Sequence, residues 1–141
     1  DGRVLGYPYN GTTAAPLTTI YGLFGHSRAF GNAGNWRLPE RWHESAPDLD
    51  RSVPLTFAAS TDPVAAPSGA PLVNSSLELV GVAVDTNIQG AAAPYVFLPE
   101  RMRTVALDLR ALREGLTTVY DAEALVDELF WGPSSASRSQ P

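Results

Sequence analysis

Cysteine is absent from the 141 residues, and methionine occurs only once. Without cysteine there is no disulfide, no cysteine-ligated zinc and no thiol nucleophile. Positive charge is also scarce, because the chain has only ten Lys and Arg but fifteen Asp and Glu, which gives a net charge of -5. This balance argues against a nucleic-acid partner, whose binding surface would be basic, and it supplies no polybasic surface for anionic lipid.

Long hydrophobic runs are missing as well. The richest, residues 77–84, is interrupted by Glu78 and Gly81 and falls far short of the roughly 20 residues that cross a bilayer. We therefore expect no membrane insertion. The chain opens on Asp1 with no charged-then-apolar leader, which predicts an N-terminus that is processed or, as we favour, missing.

What is present indicates a folded, largely β chain. Hydrophobic residues make up 44%, enough for a core, and twelve Gly with twelve Pro favour a loop-rich architecture. Residues 1–52, broken by Gly and Pro, predict an irregular arm of short extended pieces with at most one helical turn before a short helix at Glu40–Glu44. Alternating apolar and β-branched residues then predict strands at 53–60, 70–73, 77–85, 95–98 and 104–107, with the second and third forming a hairpin.

Two helices are predicted at the C-terminal end. Asp108 can cap the first, whose apolar residues recur at spacings of three and four: Leu109, Leu112, Leu116 and Val119. Asp121 is predicted to cap the second, over 122–130, with its apolar side inward: Leu125, Val126 and Leu129. Residues 132–141 are polar and predicted to be disordered.

The titratable residues form no recognisable metal motif. His26 and His43 have no partner at the helical spacing of a zinc-binding pair. Asp48 and Asp50 lack the glycine and the distal glutamate of a calcium loop. No metal site is predicted.

Ser68 is the candidate that remains. It lies in the loop 61–69 between two predicted strands, a place where functional residues often occur. Taken alone, the segment P-S-G-A-P predicts only a turn. A serine nucleophile also needs a base and backbone N–H groups for the oxyanion, so the residues by themselves leave turn and nucleophile open.

Three longer segments resemble a known enzyme family. They are VPLTFAASTDPVAAPSGAPLVNSSLELVGVAVDTN, YVFLPERMRTVALDLRAL and ALVDEL, and they run almost without gaps over residues 53–129. They are similar to the C-terminal end of the bacterial dipeptidyl-peptidase 7 and 11 family, where the pattern looks like VPVNF, D-x-T-G-G-N-S-G-S-P-V-L-N, G-x-L-I-G-x-x-F-D-x-N-W, D-x-x-x-x-R-T-x-x-V-D-I-R and L-I-D-E-L. A looser likeness extends back to Gly6.

The resemblance implies a fold and an activity. The family members are chymotrypsin-clan serine aminopeptidases that remove dipeptides from peptide N-termini, in the periplasm or after secretion, without metal or cofactor. The implied fold is the C-terminal part of a chymotrypsin-like double β-barrel with two C-terminal helices. We expect residues 1–52 to form an irregular arm before the barrel, residues 53–131 to form the barrel strands and the terminal helices, and residues 132–141 to form the tail. The implied partners are a peptide with a free N-terminus and the rest of the same protein.

The resemblance also assigns site residues. Ser68 matches the family nucleophile, and Ala66 with Ser68 would supply the two oxyanion N–H groups. Asp85 matches the aspartate that receives the α-amino group of the substrate. Thr86 matches the residue that sets which substrate side chain is preferred next to the cleaved bond. In the family this residue is small where apolar side chains are preferred and Arg where acidic ones are preferred. Because Thr86 has no positive charge, we expect no preference for Asp or Glu. Asn87 keeps the Asn of the family in the same substrate-binding segment.

The departures suggest alternatives. The triad His and Asp of the family would lie N-terminal to this chain, so we expect the chain alone to be inactive, as the last fraction of an enzyme. The family pattern G-G-N before the serine is Ala65-Ala66-Pro67 here, which favours a weakened or dead homologue that binds peptide. A β-rich interaction domain unrelated to peptidases is the third possibility.

Overall fold

The computed structural model describes residues 1–64 and 66–132. Its strands are Tyr7–Tyr9 (β1), Thr12–Ala14 (β2), Leu17–Thr19 (β3), Pro54–Ala59 (β4), Pro71–Val73 (β5), Leu79–Thr86 (β6) and Thr104–Asp108 (β7). Its α-helices are Ile20–Ala29 (α1), Glu40–Glu44 (α2), Leu109–Glu114 (α3) and Glu123–Trp131 (α4). Short 3-10 turns cover Gly34–Trp36 and Ile88–Ala92, and a π-helical turn, Gly115–Val119, follows α3 directly.

Five strands form one antiparallel sheet in the order β3-β4-β7-β6-β5. The strands β1 and β2 form a separate hairpin. Within the described residues β3 and β5 are the two edges of the sheet, and no closed barrel forms. The predicted mostly-β fold is therefore confirmed as a sheet-rich chain with several helices, whereas the double barrel remains a prediction.

Two apolar clusters stabilise the chain. The first lies on the sheet, where Phe57 and Ala59 of β4 and Ala106 of β7 pack with half-buried Leu72 and Val80. The second joins the helices to the sheet: Ile20, Leu49 and Val119 are buried together, with Phe24, Trp42, Val53 and Leu55 packed around them. Residues before position 53 thus share a core with the π-helical turn.

Most of the strands and helices predicted from the sequence are found. The helix Glu40–Glu44 has the predicted bounds, and β4, the β5–β6 hairpin and β7 agree within two residues. Asp108 caps α3 as predicted, since its side chain accepts a hydrogen bond from the Arg110 N–H at 2.9 Å. The same carboxylate pairs with the Arg110 guanidinium at 2.8 Å, and the hydrogen bond raises the pKa of Arg110.

The predicted irregular arm contains more regular structure than expected. Three strands and the ten-residue helix α1 lie within it, and β3 pairs with β4 in the main sheet. Two glycines, Gly22 and Gly25, lie inside α1. Burial of Ile20 in the second cluster compensates their low helix propensity.

The strand predicted at 95–98 is wrong. A 3-10 turn ends just before it, and the segment from 93 to 101 consists of turns and irregular backbone. Tyr95 is 92% exposed, and no strand of the described chain pairs with this segment. Its apolar run, bounded by Pro94 and Pro99, is short enough that the turns at both ends determine the conformation.

Two details of the last helix are also corrected. Asp121 adopts a positive φ of 51° two residues before α4, and no side chain caps that helix. Of the residues predicted to face inward, only Val126 is buried, while Leu125 is 44% and Leu129 58% exposed. Of the predicted tail, 132–141, residues 133–141 lie outside the described residues. None of the described helices is long and apolar enough to cross a membrane.

Candidate active site

Ser68 lies in a tight turn that rests on β6. Gly69 has a φ of +93°, which favours glycine, and the Ala70 N–H closes the turn on the Pro67 carbonyl at 2.9 Å. The Gly69 N–H then donates to the Ala83 carbonyl at 2.7 Å. The turn predicted from P-S-G-A-P is confirmed, and it fixes the serine against the strand.

The Ser68 side chain is exposed and points to the end of β6. Its Oγ donates a hydrogen bond to the Val84 carbonyl at 3.0 Å. A peptide carbonyl cannot accept the serine proton as a base, so this contact orients the hydroxyl without activating it.

A β-bulge lies at the same point of β6. Ala83 pairs with Ala106 and Asp85 with Val105, so Val84 is the extra residue. A bulge changes the direction of the side chains that follow it, and bulges occur often beside active sites. The Ser68 hydroxyl therefore contacts the residue that directly precedes Asp85 in β6.

Asp85 has an exposed side chain at the end of the strand. Its Oδ1 accepts the N–H of the next residue, Thr86, at 2.7 Å. Thr86 is half-buried, and its Oγ1 donates to the Arg103 carbonyl at 2.9 Å. The carboxylate of Asp85 therefore remains open to solvent, whereas the Thr86 hydroxyl is already occupied.

Asn87 is only 4% exposed, and protein groups use the whole of its amide. Its Oδ1 accepts the N–H groups of Gly90 at 3.1 Å and Arg103 at 2.9 Å. Its Nδ2 donates to Gln89 Oε1 at 2.8 Å and to the Arg101 carbonyl at 2.7 Å. With two donors and two acceptor positions filled, the amide has no capacity left for a substrate.

Ala66 lies beside a cleft of about 990 Å³ on one face of the sheet. The apolar part of this cleft includes Phe57, Leu72 and Val80, and Arg3 and Asp62 contribute charge at its rim. Ala65, the neighbour of Ala66, lies outside the described residues.

The two histidines lie among aromatic residues of the N-terminal half. His26 stacks on Trp36 with a centroid distance of 5.0 Å, and His43 meets the Phe24 ring edge to face at 6.2 Å. In the described part of the chain neither hydrogen-bonds to Ser68, and no group of His, Asp and Glu could hold a metal.

Arg103 is a buried residue that the reasoning from sequence did not single out. It is 4% exposed, and its guanidinium donates only to backbone carbonyls, among them that of Gly6 at 3.2 Å. The signal was weak, because an Arg before an apolar strand usually faces solvent.

Comparison with known families decides the relationship. The family model described as peptidase S46 matches residues 1–131. The chain belongs to the peptidase S46 family.

Curated relatives of this S46 chain are bacterial dipeptidyl-peptidases. It is 32% identical over 80 residues to an Asp/Glu-specific dipeptidyl-peptidase of Porphyromonas endodontalis, covering 57% of this chain and 11% of the relative. It is 32% identical over 82 residues to dipeptidyl-peptidase 7 of Capnocytophaga gingivalis, covering 58% of this chain and 12% of the relative. The S46 chain thus spans about a tenth of the length of these relatives.

Solved structures share its fold. DPP11 of P. endodontalis, in complex with the dipeptide Arg-Asp, superposes with a TM-score of 0.75 at 23% identity, over 92% of this chain and 20% of that one. The same enzyme in an alternate conformation gives 0.71 at 25% identity, over 91% and 20%. The S46 chain therefore has the fold of one part of DPP11.

Proposed function

We propose that this chain is the C-terminal portion of a serine dipeptidyl-peptidase, which releases dipeptides from peptide N-termini through an acyl-enzyme. One observation carries the proposal: the Ser68 hydroxyl contacts the bulged residue Val84, directly before the exposed carboxylate of Asp85. Two extended residues span about 7 Å, so the proposal requires the Ser68 hydroxyl and the Asp85 carboxylate to lie within the reach of one dipeptide.

Ser68 is the proposed nucleophile. Its Oγ attacks the carbonyl carbon after the second substrate residue, while its proton passes to a base and then to the departing amine. The N–H groups of Ser68 and Ala66 are the proposed oxyanion donors. Water then hydrolyses the ester, which releases the dipeptide and restores the serine. The base is proposed to come from the part of the enzyme outside this chain; among the described groups the hydroxyl of Ser68 hydrogen-bonds to the Val84 carbonyl.

Asp85 is the proposed acceptor of the substrate ammonium. An exposed carboxylate at a strand end can form a charge-assisted hydrogen bond with a free N-terminus, and this contact limits the product to two residues. Thr86 carries no positive charge, so we propose no preference for Asp or Glu beside the cleaved bond. Several relatives are named Asp/Glu-specific, and this chain is expected to differ from them.

The rest of the enzyme is proposed to complete the fold. The open edges β3 and β5 suit closure by further strands into a chymotrypsin-like double barrel, with residues 53–131 as its end and residues 1–52 leading into it. No metal or cofactor is required by this chemistry. The proposed location is periplasmic or secreted, as implied by the resemblance.

A catalytically impaired homologue that binds peptide is the second candidate. Pro67 precedes Ser68 where the family pattern has Asn, and the Ser68 hydroxyl already has a carbonyl partner. An unrelated β-rich interaction domain is less well supported, because the family model covers residues 1–131.

Labelling of the complete protein with a fluorophosphonate probe tests the proposal. We expect Ser68 to be labelled, Ser68→Ala to abolish labelling, and the matched change Ser75→Ala in the hairpin turn to preserve it. Dipeptidyl-coumarin substrates with an apolar or an acidic second residue should be cleaved in favour of the apolar one. Lack of labelling with intact peptide binding would favour the impaired homologue, and a preference for acidic substrates would disprove the role given to Thr86.

A further inference from the structure

Arg103 is a buried cation whose acceptors are all backbone carbonyls. Its guanidinium donates to Gly6 at 3.2 Å, to Pro99 and Met102 at 2.7 Å, and to Glu100 at 3.3 Å. Burying an arginine is costly unless its donors are satisfied, and these four carbonyls come from two separate segments. The side chain therefore connects the N-terminal segment to the loop that precedes β7.

The backbone of the same residue holds the end of β6. The Arg103 carbonyl accepts the Thr86 hydroxyl at 2.9 Å and the Asn87 N–H at 3.0 Å. The Arg103 N–H donates to Asn87 Oδ1 at 2.9 Å. Both residues that follow Asp85 are thus attached to this one arginine.

A second contact joins the same elements. Gln89 accepts a hydrogen bond from Asn87, and its Nε2 donates to the Pro8 carbonyl of β1 at 2.9 Å. Gly90 packs so closely against Thr86 that an added Cβ would collide with the Thr86 side chain. The segment 86–90 is therefore fixed from the hairpin side and from the β7 side.

We propose that Arg103 is a positioning residue that fixes the carboxylate of Asp85 for the substrate ammonium by joining Gly6, the 99–102 loop and the end of β6. Asp85 and Thr86 pair with Val105 and Thr104, directly after Arg103, so freeing the arginine loosens the end of the strand that carries the carboxylate. The inference rests on the proposed role of Asp85. Under this proposal Asn87, whose amide has no spare hydrogen-bonding capacity, supports the backbone at the end of β6 and does not contact the substrate.

The test measures binding, so it does not depend on turnover. The complete protein carrying Ser68→Ala is titrated calorimetrically with Ala-Leu and with N-acetyl-Ala-Leu. Arg103→Lys keeps the charge but offers one nitrogen in place of a planar fork and cannot serve all four carbonyls. We expect it to weaken Ala-Leu binding about tenfold and leave the weak binding of the acetylated dipeptide unchanged. Arg113→Lys, the same change at an exposed site on α3, should alter neither.

Asp85→Asn separates the possible failures. If it weakens Ala-Leu binding and Arg103→Lys does not, the inference is wrong and the role of Asp85 stands. If Asp85→Asn has no effect, the ammonium site and the inference are both wrong. Equal weakening of both ligands by Arg103→Lys would indicate a purely structural role and overturn the inference. If Arg103→Lys does not fold, Gln89→Ala, which removes the contact to Pro8 and the hydrogen bond from Asn87, should weaken Ala-Leu binding about threefold, and no change would overturn the inference.

Discussion

Ala66 and Pro67 are the residues that bear most directly on the proposed oxyanion role of the turn at Ser68. The family pattern has glycine at the position of Ala66, where a chymotrypsin-like loop requires a conformation that side chains resist at about 1–2 kcal/mol. Proline at 67 further biases Ala66 toward extended backbone. If the Ala66 N–H turns away, one of two donors is lost, at a cost of about 10² to 10³ in turnover.

The double change Ala66→Gly and Pro67→Asn in the complete protein should therefore raise kcat, by about tenfold or more, toward an apolar dipeptidyl-coumarin. Steady-state kinetics measure the gain. Ala15→Gly, the same kind of change at an exposed residue between β2 and β3, serves as the control and should leave kcat unaltered. High turnover in the unmodified enzyme, with no gain from the double change, would show that the turn already provides both donors.

Gly81 determines how β6 packs in the sheet. A Cβ at this position would lie 2.6 Å from the Phe57 ring and 2.7 Å from the Leu107 carbonyl. Both neighbours belong to the central part of the sheet, and Phe57 is buried in the first apolar cluster. The strand can approach β4 and β7 closely only because residue 81 has no side chain.

Gly81→Ala is expected to lower the free energy of unfolding by about 1–3 kcal/mol, because the added methyl must displace the Phe57 ring or a backbone carbonyl. Gly22→Ala is the matched control: it lies in α1 with nothing within 4 Å of the added Cβ. That change should stabilise the complete protein by about 0.5–1 kcal/mol. Chemical denaturation measures both, and destabilisation of equal size at the two sites would contradict the packing argument.

At the scale of the whole molecule, the sheet has two unpaired edges in the described chain. On β5, Val73 is 54% exposed, and on β3, Leu17 is 44% exposed. Further large apolar side chains are accessible away from the sheet: Leu77 at 82% and Trp131 at 74%. Exposed strand edges with apolar side chains pair readily with other chains.

The 141-residue chain expressed by itself should therefore aggregate or remain poorly soluble. Size-exclusion chromatography with light scattering measures the monomer fraction. Val73→Lys, a charge on an edge strand, should increase that fraction, while Thr117→Lys on the exposed side of the π-helical turn should not. A monomeric preparation of the unmodified chain that melts cooperatively would contradict this expectation.

Local patterns in the sequence were sufficient for the elements whose signal is local. The strands predicted at 53–60 and 77–85, the Asp108 cap and the Pro-Ser-Gly-Ala turn depend on neighbours within a few residues. The structure confirms each, with the strands at Pro54–Ala59 and Leu79–Thr86. Helix α1 and the irregular 95–98 segment were not predicted, because burial of Ile20 and the turns between Pro94 and Pro99 outweigh local propensity.

The sequence by itself determined the candidate residues Ser68 and Asp85 and the family resemblance. Only the tertiary structure decided that Ser68 contacts the bulged residue Val84, which directly precedes Asp85, that Asn87 is buried with no free hydrogen-bonding group, and that Arg103 is buried among backbone carbonyls. The physical reason is that register, burial and hydrogen-bond partners depend on residues far apart in the chain, such as Gly6 and Arg103, which are 97 positions apart. No pattern confined to neighbouring residues can encode which of them meet.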